Sequence, residues 1–236
     1  MKIKFIISAL ALLILTLGIQ TPSYATAFLR LDNGTAFVTI QDNLAGDLNA
    51  LSGVITFSGA IGGWIVNVTT GVTKPTSGTA VAPVMDLNSI NLTTPAGLPG
   101  GGTMTISFTD QNFGPLPNGW GFQGQYGGTT TGSVIYKAYL DLSNAPFGEG
   151  VSLFATSPAG PGPFSGTIAS AGVNNAQFPY SLTQEVIINH GPQPNQETSG
   201  DFKLEVVPVP EPATMLLLGS GLIGLAGYGR KKLFKK

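Results

Sequence analysis

The 236 residues contain no cysteine, one histidine and few charges, with Asp, Glu, Lys and Arg making up 10% of the chain. Without cysteine there is neither a disulfide framework nor a thiolate metal site, so apolar packing alone must hold the fold. One histidine, His190, cannot furnish the several nitrogen ligands that a transition metal takes. No Gly-x-Ser-x-Gly elbow occurs, and no nucleophile is paired in sequence with a base. Basic residues are also scarce between 26 and 209: Arg30, Lys74, Lys137 and Lys203 face eleven acids, a net of −7, although the whole chain sums to −1. An acidic body without a basic cluster excludes a nucleic-acid partner, because phosphate must be neutralised by Lys and Arg. The body finally lacks any 3.6-residue apolar stripe long enough for an ordinary helix.

Alternation with period 2 takes the helix's place. Met104, Ile106 and Phe108 alternate with Thr103, Thr105, Ser107 and Thr109, the pattern of a strand with one face on a core. The same spacing recurs around Phe37 to Gln41, Val54 to Ser58 and Trp64-Val66-Val68. It returns at Trp120-Phe122-Tyr126, Val134 to Leu142, Tyr180 to Ile188 and Phe202-Leu204-Val206. Turn signals fall between the runs at Asn33-Gly34, Gly62-Gly63, Lys74-Pro75, Gly100 to Gly102, Gly127-Gly128 and the Pro/Gly-rich 158–163. The expected fold is all-β: nine to eleven strands over residues 26–207 in an antiparallel β-sandwich of jelly-roll type, with a closed barrel as the second choice. Regular aromatic and β-branched residues argue against disorder.

Candidate chemistry is sparse. Asp110, Asp141, Glu149 and Glu185 lie near strand ends and are the carboxylates available for a glycosidase pair. Acids in turns more often bond their own backbone and face solvent, so the expectation is no catalytic residue and no enzyme. His190 is expected as an exposed strand-end residue. Calcium is the candidate cofactor, because it needs only oxygen ligands; Asp32, Asp42 and Asp47 form the best local clusters. Trp120, Phe122 and Tyr126, with Gln123 and Gln125 between them, offer rings and amides for sugar stacking. Their even spacing equally fits a core-facing row.

The two ends carry addresses. Lys2 and Lys4 precede a 15-residue apolar run, Phe5 to Ile19, and Ser23-Tyr24-Ala25 sets small residues at −3 and −1 of a cut after Ala25. As a helix that run spans about 22 Å, less than the ~30 Å hydrocarbon core, so residues 1–25 are expected to be a cleavable signal peptide. At the other end, Val209-Pro210-Glu211-Pro212 precedes an uncharged, largely apolar stretch at 213–229. Arg230, Lys231, Lys232, Lys235 and Lys236 then close the chain. Two prolines bar a regular helix across the motif, and the basic cluster should stay on the cytoplasmic side of the inner membrane.

Motif, Gly-containing apolar helix and basic terminus, in that order, resemble the PEP-CTERM sorting tail. The segments Tyr136 to Asn144, Ser181 to Val186 and Met85 to Leu92 are similar to stretches of small exported proteins with that tail. The resemblance implies recognition by an exosortase, transient anchoring of the precursor in the inner membrane, and then a cell-surface or extracellular destination. It further implies a structural or adhesive role in an exopolysaccharide or biofilm matrix. A carbohydrate- or calcium-binding β-sandwich module is the alternative, and a secreted glycoside hydrolase the third reading. Partners are then signal peptidase, the exosortase and exopolysaccharide.

Overall fold

A computed structural model describes residues 26–94, 102–116, 119–170, 173, 178–208 and 217–223. Among them lie β1 (Phe28–Asp32), β2 (Phe37–Gln41), β3 (Val54–Ile61), β4 (Trp64–Val72), β5 (Val84–Thr94) and β6 (Gly102–Phe113). The second half adds β7 (Trp120–Thr130), β8 (Ser133–Asp141), β9 (Val151–Ala155), β10 (Gly162–Ala169), β11 (Tyr180–His190) and β12 (Gln196–Pro208). They form two six-stranded sheets, ordered β2-β1-β6-β11-β8-β9 and β10-β7-β12-β5-β4-β3. Every named pairing is antiparallel. Neither sheet closes on itself, so the architecture is the sandwich rather than the barrel.

One apolar core fills the space between the sheets. Met104, Ile106 and Phe108 are fully buried, as are Val186, Ile188, Phe202 and Phe122. Thr103, Thr105 and Ser107 lie outside as the period-2 reading expects, but Thr109 is buried, as are Thr183 opposite it and Ser181 on β11. Polar groups also cross the core. Gln184 of β11 donates through Nε2 to Tyr136 Oη at 2.7 Å and to the Phe202 carbonyl at 2.9 Å. Tyr136 Oη in turn donates to the Lys203 carbonyl at 3.2 Å. Side chains of the first sheet thus bond the backbone of β12 in the second, which fixes how the layers register.

Several turns and faces depart from the sequence reading. Gly127-Gly128, expected as a turn, lies inside β7. A Cβ on Gly128 would stand 2.1 Å from the Ser199 carbonyl oxygen and 2.7 Å from Gly200 Cα, so the glycine permits close approach of β12 rather than a reversal. Trp64 and Val66 are buried, but register shifts on either side of Val68 turn it off that face and bring Thr69 in. The Asn33-Gly34 hairpin is as expected: Gly34 has φ 84°, and Asn33 Oδ1 accepts the Thr35 and Ala36 amides at 3.0 and 2.7 Å.

Residues 217–223 are helical, with Leu217, Leu218, Leu222 and Ile223 exposed. No helix among the described residues is long and apolar enough to cross a membrane. The signal peptide, the Pro-Glu-Pro motif, the basic cluster and most of the expected span at 213–229 lie outside the described residues.

Candidate functional site

On the outer face of the second sheet, β12 runs between β7 and β5. Phe202 and Leu204 point into the core, which leaves Asp201, Lys203 and Glu205 outward. Gly200 pairs with Ile90 and Phe202 with Leu87, so Asn88 and Ser89 together oppose Asp201. Ser89 takes the left-handed backbone at φ 54°, and its N–H donates to Asp201 Oδ1 at 2.8 Å. This β-bulge lies along an open groove of about 630 Å³ lined by Asp86, Asn88, Gln125, Thr167 and Asp201, among others. Gln125 Nε2 donates to Glu205 Oε1 at 2.7 Å, and Lys203 pairs with the other oxygen at 2.6 Å. Burial pushes the Asp86 carboxyl above its ordinary range, with Asp201 adding to it, while Asn88 and Lys203 oppose. The groove thus offers amides, hydroxyls and carboxylates, a set suited to neutral polyhydroxylated ligands and unfavourable to anions.

Of the aromatic candidates, half-buried Tyr126 is among the residues that line this groove. Phe122 is fully buried, Trp120 is half-buried, and Tyr126 packs edge-on against the core ring of Tyr136 at 6.2 Å. Phe122 thus takes the core-facing sense of the spacing in full, and Trp120 and Tyr126 only in part.

A second groove, of about 460 Å³, opens on the outer face of the first sheet and is lined by Arg30, Asp32, Thr105, Phe147, Glu149 and Glu185, among others. Two of the four candidate carboxylates therefore share one cavity. Glu185 is tied to Lys137 at 2.9 Å. Asp141 accepts the Ser143 amide and hydroxyl, both at 2.6 Å, and serves its turn. Asp110 contradicts the solvent-facing expectation. It is fully buried, with Lys74 Nζ at 2.6 Å from Oδ2.

The calcium candidates are used locally. Asp32 accepts from Gly34 N–H and pairs with Arg30, which hold its carboxyl below the usual range. Asp47 accepts the amides of Asn43, Asn49 and Thr56 at 2.9–3.0 Å. Asp42 accepts from Gly53 N–H at 2.9 Å. Among the described residues, no group of three or more His, Asp or Glu stands close enough to hold a metal.

His190 corrects a second expectation. It does end β11, but it is 4% exposed, because its ring stacks on Trp64 with centroids 4.5 Å apart. Nδ1 lies 3.2 Å from Thr94 Oγ1 and Nε2 lies 2.8 Å from Thr198 Oγ1. Burial pulls its pKa from 6.5 to about 4. The unfolded chain takes its proton near 6.5. Between those values the unfolded state therefore holds more protons, and stability falls as the solution is acidified through that window. The carboxyls of buried Asp42 and half-buried Asp86, pushed upward, act with the opposite sign. Comparison with His190→Gln isolates the histidine: between pH 7 and 4 the wild type should lose on the order of 3 kcal/mol more than the variant, read by urea denaturation. Parallel pH curves for the two proteins would reject this assignment.

Comparison with known proteins adds one specific match. Residues 208–231 fit the PEP-CTERM protein-sorting motif. No curated protein matches the chain. Among solved structures, TmCBM61 in complex with β-1,4-galactotriose is similar at a TM-score of 0.31 and 8% identity, over 71% of this chain and 94% of that one. A cleaved adhesin domain of Lys-gingipain from Porphyromonas gingivalis gives 0.29 and 6%, over 60% and 74%. These likenesses are too distant to assign a ligand. The sorting motif begins where the last strand ends, at Pro208. It marks the chain for export and for sorting to the cell surface by an exosortase. On residues 208–231, the chain is a PEP-CTERM sorting domain-containing protein.

Proposed function

We propose that the sandwich is a non-catalytic surface or extracellular-matrix domain, held at the inner membrane by its tail until an exosortase acts, and that it then contributes cohesion to an exopolysaccharide matrix. The observation that carries this reading is the junction at Pro208, where β12 passes straight into the sorting motif. The folded body is thereby delivered to whatever surface the sorting enzyme serves. Exported protein, purified after tail processing, should co-sediment with exopolysaccharide from its own producing cells. Protein that stays in the supernatant at all polysaccharide concentrations would remove the matrix role.

A carbohydrate-binding module is the second reading, favoured by the groove across β12. Asn88 and Gln125 supply amide donors and acceptors there, and Thr167 adds a hydroxyl. On this reading Gln125→Ala combined with Asn88→Ala lowers affinity for the polysaccharide about tenfold, a difference of ~1.4 kcal/mol. Equal retention of the double variant would leave the matrix role without this groove. The hydrolase reading needs two carboxylates free to exchange protons, and Glu185 is engaged by Lys137.

A further inference from the structure

The first residue beyond the expected signal-peptide cut is already part of the fold. Thr26 is half-buried and Ala27 fully buried. Thr26 N–H donates to Asp110 Oδ1 at 3.2 Å, and its Oγ1 accepts from Asn112 Nδ2 at 3.4 Å. The Ala27 carbonyl accepts the Asp42 amide at 3.1 Å. The atom that becomes the new N-terminus therefore lies beside a buried carboxylate.

That carboxylate belongs to a cluster short of positive charge. Asp110 is fully buried, with Lys74 Nζ at 2.6 Å and Thr73 Oγ1 at 2.8 Å on Oδ2. The Gln111 amide donates to Oδ1 at 2.7 Å. Asp42 is 8% exposed, and its Oδ1 has no hydrogen-bond partner among the described residues. Burial pushes the Asp42 carboxyl upward, and the charges of Asp47 and Asp110 add to that. Lys74 pairs with Asp110, whereas Asp42, which feels the charge of Asp110, has no ion-pair partner of its own among the described residues. An unbalanced buried charge is costly, so a second cation at this spot is favoured.

We propose that this pocket is the binding site for the α-ammonium of Thr26, which cleavage after Ala25 creates, and that processing completes the buried ion cluster. The inference rests on the signal-peptide reading. Water adds across the Ala25–Thr26 peptide bond, leaving a carboxylate on Ala25 and an amine on Thr26 that is protonated below about pH 8. Before the cut, the Thr26 nitrogen is a neutral amide with one hydrogen. Afterwards it carries three hydrogens and a full charge. The contact to Asp110 becomes a charge-assisted bond, and two N–H groups are left for neighbouring acceptors.

The test compares three preparations of the chain from residue 26 to the C-terminus, tail included and held in detergent. One has a free Thr26, one an acetylated Thr26, and one retains Ala25. Acetylation keeps one N–H to donate to Asp110 and removes the charge with the other two hydrogens. The free form should melt about 5 °C above both others. Its α-amine should react with an amine-directed reagent at pH 7 at least tenfold more slowly than the amine of the unfolded chain. In an Asp110→Asn background the advantage of the free form should vanish; if that variant does not fold, the labelling rate of the native chain decides. Equal melting of all three with unhindered labelling would overturn the proposal. The N-terminal sequence of the exported protein is read separately. A start other than Thr26 removes the processing reading itself, whereas a Thr26 start with equal melting removes the pocket alone.

Discussion

Replacing Lys74 with methionine should cost the domain about 3–5 kcal/mol, among the largest losses expected of any single substitution in the body. Lys74 is 3% exposed and its partner Asp110 is at 0%. The ammonium also donates to the Gln111 carbonyl and sits 4.3 Å from the centroid of the Phe113 ring. Burial pulls the lysine pKa downward, and Asp110 opposes that shift. Without the ammonium, the Asp110 carboxylate remains in the interior with no lysine to balance it. Removing one partner of such a pair is far more damaging than removing both. The paired change Lys74→Met with Asp110→Leu should therefore recover much of the loss. Denaturant titration of the two variants measures it. A Lys74→Met protein within about 0.5 kcal/mol of wild type would show that the pair contributes little.

Replacing Glu211 with alanine should lower the amount of protein released from the membrane at least tenfold. Pro210 and Pro212 flank this residue and form the motif with it. Glu211 is the sole charge between Glu205 and the terminal basic cluster. It is thus the one side chain there with a charge to offer the enzyme. The measurement is the ratio of tail-bearing to tail-free protein in membrane and released fractions, read by mass spectrometry of the C-terminus. Release at the wild-type rate would mean that the enzyme does not read Glu211.

Much of the fold was legible because β6, β11 and β12 each bury one face: Met104-Ile106-Phe108, Leu182-Val186-Ile188 and Phe202-Leu204 keep strict period 2. The edge strand β10 was not, because Gly162, Pro163 and Gly166 break its apolar pattern and its register comes from β7 instead. Proline is tolerated there because an edge strand has an unpaired side. The bulges at Val68 and opposite Asp201 shift side chains between faces without a local signal. The sites were harder still. Lys74 and Asp110 are 36 residues apart in the chain, and only the packing of one sheet on the other brings them together. His190 has a strand-end address, but the Trp64 ring that buries it comes from the other sheet. The sorting motif was legible in full, because an address read by an enzyme is written in contiguous residues.

The position of β12 has a mechanical consequence. It is an inner strand, bonded to β7 on one side and β5 on the other, and its last residue leads directly to the tail. On the proposal that the tail holds the precursor at a bilayer, a pull on the tail enters the fold through this strand. Hydrogen bonds on both flanks are then loaded together in shear instead of being opened one after another like a zipper.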